Sequence, residues 1–194
     1  MTPRSVSSPK KFLIGAGLFD QVGDYLAEHG DHVFIIGDRF FLPRITERTV
    51  PQLQAQGLRA HVETFAGECT TDEIERLTAA LQTAGCNVIL AVGGGKALAV
   101  VKAVSHHCKL PQVLVPTIAS TDAPCSALSV IYSDSGVFES YRFYSKNPDL
   151  VLVDTQVCAR APVRLFASGI ADGLATFVEA QAVKRSHGKS MVEG

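Results

Sequence analysis

The chain has 194 residues, 46% of them hydrophobic and 19% charged, with a formal net charge of −1. That length suffices for one domain with a real core, and the composition lies far from the apolar-poor, highly charged corner where chains stay unfolded. So balanced a charge lacks the dense Lys/Arg field that displaces counterions from a polyanion, which excludes nucleic acid as an expected partner.

At the N-terminus, Met1 to Lys11 carries charge and three serines but no apolar leader core. No run anywhere approaches the ~20 apolar residues of a membrane span. The five cysteines are odd in number, scattered, and lack a C-x-x-C pair. They read as reduced thiols, so the expectation is a cytoplasmic protein with no membrane partner.

His32 to Gly37 (HVFIIG) is the first short, continuous, β-branched apolar run, the pattern of a strand covered on both faces. Arg59 to Phe65 is a weaker, alternating version. Thr70 to Ala84 predicts a helix, with Thr70 and Glu73 at capping-box spacing, Ile74, Leu77, Leu81 and Ala84 on one face, and Gly85 as its stop. Val88 to Val92 and Gln112 to Pro116 predict two more buried strands. Ala127 to Ser133 and Val137 to Tyr144, joined through Ser133 to Gly136, predict a β-hairpin flap. Leu150 to Asp154 is a further buried strand, and Val163 to Val183 a long helix.

Strands alternating with helices predict an α/β, Rossmann-like, mostly parallel sheet with helices on both faces and the hairpin beside it. Residues 1–162 form that domain, and 163–194 begin a helical one. The tail Lys184 to Gly194 lacks apolar periodicity and reads either as a loop leading onward or as a frayed end.

Three segments carry candidate chemistry. Val92-Gly93-Gly94-Gly95-Lys96 follows a strand and opens a helix, where glycines let phosphate oxygens reach backbone N–H groups. It is neither G-x-G-x-x-G nor a Walker A loop, and a ligand-free glycine turn is the alternative. Asp38, just after HVFIIG, suits a ribose hydroxyl and disfavours a 2′-phosphate; a turn aspartate is the alternative. Pro116 to Ser129 is dense in hydroxyls, carries Asp122 and is stiffened by prolines; it either presents polar groups to a ligand or satisfies its own backbone.

GGGK at Gly93 to Lys96, PTIASTDAPCSALSVIY from Pro116 to Tyr132, the run Leu150 to Asp154, and GIADGLATFVEA from Gly169 to Ala180 together resemble the glycerol dehydrogenases of the iron- and zinc-dependent alcohol dehydrogenase superfamily. The likeness runs from about Ser8 to the C-terminus and covers that family's N-terminal half. It implies NAD-dependent oxidation of glycerol to dihydroxyacetone, in which a bound Zn²⁺ lowers the pKa of the substrate hydroxyl so that the alkoxide passes hydride to nicotinamide.

By the same resemblance Asp38 holds the adenosine ribose, and Gly94, Gly95, Lys96, Ala97 and Leu98 line the pyrophosphate loop. Thr117 and Ser120 contact the adenosine-phosphate side, while Ser126, Leu128 and Tyr132 line the nicotinamide side. Asp122 contacts glycerol, and Asp172 binds the metal. The remaining metal ligands would be histidines of a C-terminal helical domain, and the full-length protein would be a homo-oligomer. Ala99 stands where the family usually has an aspartate, which puts cofactor affinity in question.

Periodicity alone assigns Asp172 differently: it falls with Ser168, Thr176 and Glu179, away from a Phe166, Ile170, Phe177 stripe, and so reads as a solvated residue. The histidines show no H-E-x-x-H spacing, and adjacent His106 and His107 splay apart on a helix. Rival readings are a non-catalytic NAD-binding or subunit-interaction module, a dehydrogenase of another small polyol, and a dehydroquinate-synthase-like lyase. Val163 to Val183 is expected to expose Phe166, Ile170, Leu174 and Phe177 and to promote self-association.

Overall fold

In the computed structural model, residues 7–187 are described. Eight strands form among them: β1 (Lys11–Gly15), β2 (His32–Gly37), β3 (Arg59–Thr64), β4 (Val88–Gly93), β5 (Gln112–Pro116), β6 (Leu128–Tyr132), β7 (Phe138–Phe143) and β8 (Leu150–Asp154). Helices are α1 (Val22–Leu26), α2 (Leu42–Arg44), α3 (Val50–Ala55), α4 (Thr71–Ala84), α5 (Gly95–Cys108), α6 (Thr155–Ala159) and α7 (Val163–Ser186), with a π-helical turn at Ile45–Thr49 joining α2 to α3.

Six strands make one parallel sheet in the order β1-β8-β5-β4-β2-β3. Alternation along each strand splits the core in two. Phe34, Ile36, Ile89, Ala91 and Leu114 face Leu77, Leu81, Val100 and Val104 of α4 and α5. Val33, Ile35, Leu90, Val113 and Leu152 face Phe19, Leu26, Leu53 and Val157 on the opposite side. Burial on both faces is why these strands read as continuous apolar runs. β1 has no such signature: it is an edge strand paired with β8, with Phe12 48% and Ile14 65% exposed, and it adds a strand that periodicity does not reveal.

The ends of α4 follow from its sequence. Thr70 Oγ1 accepts the amide of Glu73 at 3.1 Å, and Gly85 closes the helix at φ 64°. The Glu73 carboxylate turns to the amide of Ala66 (2.9 Å) and to Arg76 Nε (2.7 Å), so the reciprocal half of the capping box is diverted into the loop after β3. Asp154 caps α6 through the amides of Gln156 and Val157 and also accepts those of Gly17 and Phe19, locking the chain after β1 onto the end of β8.

β6 and β7 pair antiparallel, with Gly136 at φ 76° in the connecting turn. The hairpin is fastened at three points: Ser129 Oγ donates to Ala99 O (2.6 Å), the Tyr132 amide to Cys69 O (2.9 Å), and Arg142 Nη2 to Thr71 Oγ1 (2.9 Å).

The helix predicted over Val163 to Val183 continues through Ser186, so the first residues of the expected loop are helical. The rest of that tail, residues 188–194, lies outside the described residues, as do residues 1–6 of the N-terminal stretch. On α7 the stripe Phe166, Ile170, Leu174 and Phe177 is exposed, at 57%, 54%, 64% and 64%. Asp172, which periodicity assigns to solvent, is half-buried instead. The reason is local: a Cβ on Gly169 would lie 2.0 Å from Ala119 O, so the missing side chain lets α7 rest on the loop after β5 and turns Asp172 toward it.

Candidate functional site

Chain order places β3 and β4 on opposite sides of β2, so the sheet's direction of growth reverses there and a crevice opens beyond the carboxyl ends of β2 and β4. Asp38 leaves β2 at that crevice and the glycine turn leaves β4; the two are joined by the Asp38 amide donating to Val92 O at 3.0 Å.

The turn is tight because its glycines have close neighbours. A Cβ on Gly93 would lie 2.8 Å from Ala97 Cβ, one on Gly94 2.9 Å from Ile118 Cδ1, and one on Gly95 3.0 Å from Thr121 Cγ2. Gly94 caps α5 without a side chain, and the first turn of α5 holds no acidic residue. The open amides and the positive end of the helix dipole at this turn suit an anion, and Lys96 lines the same cavity. Glu68 pairs with Lys96 here, and the Lys96 ammonium stands 5.8 Å from the Tyr132 ring centroid.

The crevice is a cavity of about 660 Å³, within the range of small-molecule and cofactor sites. Asp38, Gly94, Gly95, Lys96 and Ala97 line it from the β2 and β4 sides. Ser120, Asp122, Ser126, Leu128 and Tyr132 line it from the loop after β5 and from the hairpin. Three candidates stand apart. Leu98 is fully buried in the α4–α5 core, and its amide is spent on Gly94 O. Thr117 is buried, with its amide on Gly93 O at 3.0 Å. Asp172 sits on α7, where its Oδ2 accepts the amide of Asp122 at 3.1 Å.

Asp38 behaves as a turn residue and a cavity residue at once: Oδ1 accepts the amide of Phe40 at 2.8 Å while the side chain lines the crevice. Sequence reasoning missed Lys102, Cys69, Phe65 and Ile118, which also line it. Lys102 had a signal, a single charge inside the apolar run Ala99 to Val104. Burial drives its amine down to about 8, against the nearby Cys69 and Asp122. Burial and the adjacent Glu68 push the Cys69 thiol up to about 11, so it is no thiolate at neutral pH. All five cysteines are free, and Ala99 puts a methyl group on the cavity wall.

The donor set for a metal is incomplete. Among the described residues no three His, Cys, Asp or Glu side chains come together, and zinc takes about three protein ligands in a catalytic site. Asp172 is one carboxylate, already holding an amide. No described helix is long and apolar enough to cross a membrane.

Comparison with known proteins identifies the family and the fold. Residues 9–155 match the family described as iron-containing alcohol dehydrogenase, and the chain belongs to that family. It is 44% identical over 191 residues to a glycerol dehydrogenase of Escherichia coli O6:H1, covering 98% of this chain and 52% of the relative. A glycolaldehyde reductase of Halobacterium salinarum is 42% identical over 187 residues, covering 96% and 51%. Among solved structures, a probable glycerol dehydrogenase from Sinorhizobium meliloti 1021 superposes with a TM-score of 0.88 at 37% identity, covering 95% of this chain and 50% of the other. The chain thus spans about half the length of the curated relatives it matches.

Proposed function

We propose that this chain is the NAD-binding half of a glycerol dehydrogenase, contributing to the oxidation of glycerol to dihydroxyacetone. The observation that carries the reading is a single cavity shared by Asp38, the Gly94–Lys96 turn and Asp122. Asp38 hydrogen-bonds the adenosine ribose and repels a 2′-phosphate, while the α5 amides and Lys96 hold the pyrophosphate once Lys96 exchanges Glu68 for it. Ser126, Leu128 and Tyr132 bound the nicotinamide, and Asp122 accepts a hydrogen bond from a polyol hydroxyl. NAD supplies the acceptor for the hydride leaving the carbinol carbon. Leu98 and Thr117 support the cradle from beneath through backbone bonds, and Asp172 is the one metal donor proposed from this chain. Among the described residues no second or third donor joins it.

Two measurements test this. Calorimetric titration with NAD and NADP should give binding that favours NAD; equal affinities would remove the role of Asp38. Glycerol-dependent NADH formation should then be followed with and without added Zn²⁺. Zinc-dependent turnover supports the dehydrogenase reading, whereas NAD binding without turnover leaves standing only the NAD-binding part of it.

A further inference from the structure

Lys102 is 1% exposed in the middle of α5, between Val101 and Ala103. An ammonium taken out of water costs several kcal/mol unless its protons are satisfied. All of its hydrogen bonds go to one short segment: Ala123 O at 2.7 Å, Ser126 Oγ at 3.0 Å and Ser126 O at 3.3 Å. Among the described residues no carboxylate lies within ion-pair distance of it. An apolar side chain of similar length would fill the same core space without the desolvation cost, so packing alone does not account for an amine here.

What the three bonds accomplish is placement. Ala123 and Ser126 bracket the 3-10 turn Ala123–Cys125, which directly follows Asp122 and leads into β6. Asn147 Nδ2 holds the same turn from its other side through Cys125 O at 2.8 Å. The turn is therefore clamped between α5 and the segment before β8, and its two flanking residues, Asp122 and Ser126, both line the cavity.

We propose that Lys102 is a positioning residue whose buried ammonium fixes the Ala123–Ser126 turn against α5 and so sets the width of the cavity at its nicotinamide and polyol side. The inference rests on the NAD reading above. It separates two parts of the site: Lys102 lies six residues beyond Lys96, roughly 9 Å along the helix, and makes no bond to the glycine turn.

The test is calorimetric titration of the chain and of Lys102→Met with NAD and with ADP-ribose, which lacks the nicotinamide. The expected result is NAD weakened about tenfold and ADP-ribose unchanged within about twofold. Lys102→Arg, which keeps the charge, should restore part of the NAD affinity. If Lys102→Met does not fold, Asn147→Ala loosens the same turn from a residue that does not line the cavity; it should weaken NAD selectively by about threefold. Parallel loss of both ligands, or no change in either, overturns the positioning role while leaving the NAD reading intact. A wild-type chain that binds neither ligand overturns both.

Discussion

Asp172 on α7 accepts the backbone amide of Asp122 at 3.1 Å, tying a helix to a loop 50 residues away. The bond exists because Gly169, one helical turn earlier, lets the helix descend onto Ala119. Gly169→Ala would drive a methyl group into a carbonyl oxygen and must lift α7. The Asp122 amide should then lose hydrogen-exchange protection, with ADP-ribose affinity unchanged. Asp172→Ala should expose the same amide, whereas Asp172→Asn, which keeps an acceptor, should protect it in part. Unaltered exchange in Gly169→Ala would mean that α7 does not rest where this geometry puts it.

Asp38 offers a sharper ligand test. Replacement by Asn removes the charge that repels a 2′-phosphate while keeping an acceptor for the Phe40 amide. Asp38→Asn should narrow the preference for NAD over NADP by about tenfold, mostly through tighter NADP binding. A preference that stays unchanged would assign Asp38 to its turn alone.

Stability against acid should depend on Asp149, which is 3% exposed. Burial works to raise its carboxyl, but Lys10 (2.7 Å), the Gln112 amide (3.1 Å) and Lys146 (3.1 Å) outweigh burial and hold it below its ordinary 3.8. A carboxyl that is more acidic when folded contributes stability that is complete above its unfolded value and disappears as pH falls through its folded one. Asp149→Asn should therefore cost roughly 1–3 kcal/mol at neutral pH, with the gap to wild type closing below about pH 4. Urea midpoints at about pH 7 and about pH 3 measure it, and a gap that persists in acid would contradict the linkage.

The outward stripe of α7 predicts association. Phe166, Ile170, Leu174 and Phe177 are each more than half exposed on one helix face. Light scattering of the chain at micromolar concentration should give more than a monomer, and Leu174→Glu with Phe177→Glu should return it to monomer. A wild-type monomer would show that the stripe tolerates water.

How much of this was readable follows from what each residue faces. β2, β5 and β8 appear in the sequence with their bounds, because strands covered on both faces need uninterrupted apolar runs. β1 was hidden because an edge strand is half solvated, and the α2–α3 segment because Pro43 and Pro51 break its helical pattern. In the site, the glycine turn and Asp38 were legible from their places after strands. Lys102 showed in the sequence only as one charge inside an apolar run; its role was not legible, since a lysine in a helix ordinarily reaches water and its partners Ala123 and Ser126 arrive from elsewhere in the chain. Asp172 was misread by periodicity for the same reason: its partner comes from a distant loop.

The glycine turn also says something about mutational tolerance. Gly93 abuts Ala97, whose Cβ cannot swing aside, and Gly95 abuts Thr121, while Gly94 meets only the flexible end of Ile118. A library of random substitutions selected for correct folding, with no ligand in the selection, should therefore lose variants at Gly93 first and spare Gly94 longest. Foldability and ligand access impose overlapping demands on this turn, so the packing that fixes its shape restricts its sequence even when no ligand is bound.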